Sequence, residues 1–100
     1  HHLANVKIAL DFAAPLVYRA AWSVAHDDDP VARGCDVSMA KAQASEAADL
    51  AARQALQCHG AIGYTFEYDL QLWLKRAWTL AAAHGDVRFH RDRVAAAIGV

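Results

Sequence analysis

The residues of this chain that could do chemistry are thinly spread. Six histidines stand at positions 1, 2, 26, 59, 84 and 90. No two are spaced i, i+4, so no helix face offers a metal ion a pair of imidazoles. Cys58 and His59 are adjacent, and adjacent residues on a helix point apart. Two cysteines, Cys35 and Cys58, give neither a disulfide framework nor a metal spacing. Cys58 falls among alanines, where a buried thiol is expected. His26-Asp27-Asp28-Asp29-Pro30 gathers three carboxylates, but no oxygen ligands follow at calcium-loop spacing, so the run reads as a solvated turn. No Gly-x-Gly-x-x-Gly fingerprint, P-loop or Gly-x-Ser-x-Gly elbow is present. From composition and spacing alone the chain reads as a helical domain without self-contained chemistry.

The elements that must position these residues are helical. Leu3, Val6, Leu10, Ala13, Val17, Ala20 and Val24 alternate steps of three and four and draw one apolar stripe. Ile8, Phe12, Leu16 and Trp22 add bulk beside it, a pattern expected of a helix packed between neighbours. Pro15 lies inside this helix and predicts a kink. A second helix is expected from about Asp36, with Asp36 or Ser38 as cap, to about His59. Its Ala40, Ala44, Ala47, Ala51 and Ala55 form a seam that lets another helix come close. Glu46, Asp49, Arg53 and Gln57 line its polar face, with Asp49 and Arg53 paired at i, i+4. Gly60 supplies a left-handed stop. A third helix is expected from Asp69, as cap, to about Ala83, with Leu70, Trp73, Leu74, Ala77 and Leu80 inward. Gly85 breaks it, and a short fourth helix covers roughly residues 87 to 98. No strand alternation competes, so the fold class is all-α, an antiparallel helical bundle.

Composition sets the outer limits. One hundred residues suit one domain, spanning 1–100, with no room for a separate nucleotide-binding half. The hydrophobic fraction is 56% before glycine is counted, an excess that on so small a body points to contact with another chain or domain. The chain starts at His1 with helical pattern already running, as expected of the C-terminal part of something longer. A net charge of −1 and a pI near 6.6 give no basic field for nucleic acid or acidic lipid. No apolar run approaches the roughly 20 residues that span a bilayer, and a cytoplasmic location is the expectation.

The run from Gln57 to Leu74, with Met39-Ala40-Lys41 upstream as a weaker marker, resembles the C-terminal helical domain of flavin-dependent acyl-CoA dehydrogenases. The resemblance extends over nearly the whole chain and implies the last part of a four-helix domain that builds a tetramer. It implies FAD as cofactor, an acyl-CoA as substrate and an electron acceptor such as an electron-transfer flavoprotein. In the family, the peptide matching Gln57, Cys58, His59, Gly60 and Ala61 contacts the FAD of the neighbouring subunit. The family reaction removes the α-proton with a carboxylate while the β-hydrogen leaves as hydride to the flavin. In many members that base is a glutamate followed by Gly-Thr after the third helix. Here the matching residues are His84-Gly85-Asp86: the glutamate is replaced, and aspartate stands where a threonine helps to hold flavin. Arg76 also departs from the family's usual aspartate.

Three readings of that departure stand side by side. The base could lie on an earlier helix outside this chain. The chain could be the non-catalytic partner of a heteromeric dehydrogenase, as in actinobacterial enzymes acting on bulky acyl-CoAs, which the run His90-Arg91-Asp92-Arg93-Val94-Ala95 also resembles. Or His84 could itself be the base, although a histidine at a helix C-terminus also complements the helix dipole. The resemblance therefore implies FAD contacts at Gln57 to Ala61, with Asp86 as a further flavin contact and Gly85 beside the substrate.

Overall fold

The computed structural model describes residues 2–60 and 67–100. Within them the chain is helical: α1 His2–His26, α2 Pro30–Gly60, α3 Glu67–Ala82 and α4 Val87–Ile98. No strand occurs among the described residues. The all-α expectation holds.

The long α2 is the spine, and each other helix packs on it. Helix α1 returns antiparallel along its first half, where Arg19 Nε lies 3.5 Å from the Asp36 carboxylate. Helix α3 runs antiparallel to the second half of α2. Ala55 and Leu70 line one end of their shared seam, and Asp49 and Trp78 border a groove at the other. Helix α4 continues in the same direction along the first half, with Ser38 bonded to His90 and with Val31 and Ala97 lining one groove. Thus α3 and α4 form one bent rod along α2, turned at residues 83–86. The body is long, 50 × 27 × 24 Å.

The core is built of small side chains. Ala13, Ala20, Ala40, Ala42, Ala47, Ala52 and Leu74 are buried, and so are Ser23, Ser38, Ser45 and His90. Small residues let helix axes approach closely. The alanine seam accordingly holds: Ala51 and Ala55 face Leu70 and Leu74 across α2 and α3. On α1 the inward face is Val6, Ala9, Ala13, Leu16, Ala20 and Ser23, again at three-four spacing. It is rotated from the expected stripe, for Leu3, Leu10, Val17 and Val24 are exposed. Periodicity alone missed this because α1 is apolar around most of its circumference, and the alanines decide which side fits against α2. Pro15 lies within α1, which runs through it unbroken.

Two helix starts differ from expectation. Helix α2 begins six residues before Asp36. Asp29 Oδ1 accepts the Val31 N–H at 3.0 Å, and Pro30, whose missing N–H costs nothing in a first turn, opens the helix. Asp27 Oδ1 in turn accepts the Asp29 N–H at 3.0 Å, so the acidic run is a solvated turn that also caps. Asp36 and Ser38 lie inside the helix. Helix α3 begins at Glu67, which puts Asp69 inside its first turn rather than at the cap. Helix α2 is described through Gly60, and the residues that would follow the expected stop, with the Gly63-Tyr64 turn, lie outside the described residues.

Candidate functional site

The two stretches that the resemblance marks lie apart along α2, one at its C-terminal end and the other beside its middle. Gln57 and Cys58 sit in the last turn of α2, Gln57 exposed and Cys58 half-buried. His59 and Gly60 complete that helix, and Ala61 lies outside the described residues. The turn His84-Gly85-Asp86 lies beside Lys41, whose Nζ is 3.0 Å from the Gly85 carbonyl. Lys41 and Gln57 are sixteen residues apart on one continuous helix, about 24 Å at roughly 1.5 Å per residue. The chain therefore does not bring its two candidate groups together.

The turn is held from two sides. His84 is left-handed at φ 57°, unusual for a residue with a Cβ, and Gly85 follows at φ 94°. Two consecutive positive φ values end α3 and throw the chain into α4. Asp86 is extended and caps α4, its Oδ1 accepting the Phe89 N–H at 2.9 Å. Carbonyls at such a helix end have lost their helical partners. Lys41 Nζ meets two of them, at 3.1 Å from Ala81 O and 3.0 Å from Gly85 O, and is 3.2 Å from Ser45 Oγ. A cation there also opposes the negative end of the α3 dipole.

The third carbonyl belongs to His84 itself. The ring of His90, only 4% exposed, places Nε2 at 2.9 Å from His84 O and Nδ1 at 3.0 Å from Ser38 Oγ. A carbonyl can only accept, so Nε2 carries a proton, and Nδ1 shares a hydrogen bond with the Ser38 hydroxyl. Both nitrogens and the hydroxyl are satisfied in one buried relay. Phe89 packs edge-on against His90 at 5.0 Å. A Cβ at Gly85 would stand 2.6 Å from Phe89 Cδ1 and 2.8 Å from His90 Nε2, so this position admits only glycine without movement.

Beside the turn opens a groove of about 460 Å³ lined by Ser45, Glu46, Asp49, Trp78, Asp86 and Arg88, among others. Arg91 pairs with Glu46 near it. His84 is exposed, with its imidazole outside the relay that holds its backbone. No cluster of metal-binding side chains occurs among the described residues. No described helix is long and apolar enough to cross a membrane.

Of Gln57 to Ala61, which the resemblance assigns to FAD, Gln57 and Cys58 are the ones whose side chains the structure describes. The Gln57 amide is exposed and offers donor and acceptor together to a polar cofactor edge. Asp86 fits less well, because its carboxylate already serves as the cap of α4. Ser38, Lys41 and His90 were not picked out by sequence as site residues. Their signal was present in part: Ser38, Lys41 and Ser45 interrupt an alanine-rich helix at three-four spacing, a polar strip aimed at one neighbour.

Comparison with known proteins accords with this architecture. Residues 1–99 match the family described as "Acyl-CoA dehydrogenase, C-terminal domain". The chain is 34% identical over 89 residues to "Probable acyl-CoA dehydrogenase YngJ" of Bacillus subtilis, covering 89% of this chain and 23% of that protein. It is 34% identical over 79 residues to "Acyl-CoA dehydrogenase IpdE2" of Mycolicibacterium smegmatis, covering 79% and 25% respectively. To "Glutaryl-CoA dehydrogenase" of Desulfococcus multivorans it is 34% identical over 83 residues, covering 83% and 21%. The chain thus spans about a quarter of the length of the curated relatives it matches. No solved structure matches it significantly. With the helical order, the seam on α2 and the family match over residues 1–99 in agreement, the chain belongs to the acyl-CoA dehydrogenase family, as a C-terminal domain of that family.

Proposed function

We propose that this chain is the C-terminal part of an FAD-dependent acyl-CoA dehydrogenase, an oxidoreductase that introduces an α,β double bond into an acyl-CoA thioester. The observation that carries the reading is the family match across residues 1–99. The domain contributes two things: a surface against sister subunits of a homo- or heterotetramer, and contacts to FAD. The first is supported by the large apolar side chains left outside the bundle, among them Phe12, Tyr18, Trp22 and Trp73. The second rests on Gln57, Cys58, His59, Gly60 and Ala61 at the end of α2, which would touch the flavin of a neighbouring subunit.

FAD, when bound, supplies the redox step by accepting a hydride. The residues of this chain hold and orient. Gln57 gives a cofactor edge both a donor and an acceptor, and the backbone at Gly60 allows close approach. Gly85 lies beside the substrate, with Asp86 capping α4 rather than holding flavin. His84 takes the place of the family's usual glutamate, and we assign the α-proton to a base elsewhere in the protein. The alternative is a non-catalytic assembly subunit of a heteromeric dehydrogenase, favoured by the lack of a carboxylate at position 84. In the enzyme reading the reduced flavin would pass electrons to an acceptor such as an electron-transfer flavoprotein, in the cytoplasm.

Absorbance of the purified full-length protein separates the two. The enzyme reading expects a flavin band at roughly 450 nm that bleaches when acyl-CoA is added. A protein colourless even when co-expressed with its genomic neighbour would contradict it. Replacing Gln57 and Gly60 is expected to lower flavin occupancy more than His84→Ala does. Equal loss from all three would count against the site assignment.

A further inference from the structure

Three carbonyls at the bend between α3 and α4 are held by side chains from other elements: Ala81 and Gly85 by Lys41 of α2, and His84 by His90 of α4. The bend needs no such hold merely to pass from one helix to the next, since Gly85 and the Asp86 cap already end one and start the other. Moreover, the held residue is not a glycine. His84 is kept at φ 57°, in a sparsely populated conformation, with its imidazole exposed. Such strain persists only where surrounding structure over-determines it. Here the over-determination is visible atom by atom, including the His90 ring against the missing Cβ of Gly85.

We propose that Lys41 and His90, the latter oriented by Ser38, are positioning residues that fix the His84-Gly85-Asp86 turn against the acyl and flavin groups. This rests on the enzyme reading above, in which that turn borders the substrate. Lys41 bridges the last turn of α3 to Gly85 and sets the angle of the bend. His90 holds the His84 peptide plane and thereby the direction of everything attached to it. Neither side chain touches substrate. Each acts through the backbone it holds, and a displacement of about 1 Å at such a place costs up to roughly a hundred-fold in rate.

The test uses the full-length protein, with Lys41→Met, His90→Ala and His90→Gln. The glutamine variant can still donate to the His84 carbonyl from its amide. Flavin content is read by absorbance, and steady-state kcat and KM are measured per bound flavin. Amide exchange across residues 83–87 is followed in flavin-free protein. Lys41→Met and His90→Ala are expected to keep flavin content within about two-fold, while kcat falls about ten-fold or more and KM changes little. Exchange at the turn should rise in both, and His90→Gln should recover most of kcat and of the protection. Unchanged kcat per flavin in the first two variants would overturn the proposal. So would a loss of kcat that only tracks lost flavin, with no recovery in His90→Gln. Wild-type protein with neither flavin nor activity overturns the enzyme reading and this proposal with it, and is told apart because the defect precedes any substitution.

Discussion

The inside and the outside of this bundle invert the usual distribution of side chains. Along the seams of α2 the buried residues are alanines and serines, joined by one leucine and one histidine, and the largest of the fully buried side chains are Ser23 and Ser38. On the outer faces stand Phe12 at 69% exposure, Tyr18 at 74% and Trp73 at 75%. Burying a large apolar side chain contributes roughly 1.5–3 kcal/mol, so the chain alone leaves most of that stabilisation unused. The seams gain close approach and a buried polar relay instead. The contrast teaches that the seams fix the geometry of the bundle, while the outer faces are free to serve the interface proposed above.

The comparison can be broken from the inside first. Leu74 is the one large aliphatic side chain in the buried set, at 4% exposure. Leu74→Ala in the full-length protein is expected to cost about 2–5 kcal/mol, read by urea unfolding. Loss below about 1 kcal/mol would mean that the α2–α3 seam does not hold the fold. Next comes Gly85→Ala, which combines a left-handed backbone with contacts under 3 Å to Phe89 and His90. A loss of about 1–3 kcal/mol is expected in the same assay. A neutral substitution would show that the turn relaxes freely.

The outer faces are probed by charge. Trp22→Glu and Trp73→Glu are expected to leave helix content and subunit unfolding within about 0.5 kcal/mol, since both side chains are exposed in the single chain. They should nonetheless weaken assembly, seen as a concentration-dependent shift to smaller species in sedimentation. Loss of fold without loss of assembly would reverse the assignment of inside and outside. The smallest effect is reserved for the exposed Asp49–Arg53 pair, 2.7 Å apart. Arg53→Ala should change stability by no more than about 0.5 kcal/mol.

How legible all this was in the sequence depends on the element. Helix identity follows from three-four periodicity, and α4 has its expected bounds, with Asp86 and Gly99 as the caps that the structure adds. Helix α2 starts six residues before the expected Asp36, because Asp29-Pro30 in the Asp-rich turn is also a helix opening. The inward face of α1 was misread by a rotation. A helix apolar on nearly every side carries no single direction, and only its partner selects one. The turn at 84–86 was recognisable by position, but the hold on it was not. Lys41 and Gly85 are 44 residues apart, Ser38 and His90 are 52 apart, and no local pattern pairs such residues.

The central claim is that the aromatic and aliphatic outer faces of α1 and α3 are covered by sister subunits in the working protein. Light scattering on the full-length protein at micromolar concentration measures this directly. The account predicts a mass of four subunits that falls when Trp22→Glu and Trp73→Glu are combined. A monomer mass in the unsubstituted protein, with those faces open to water, would contradict it.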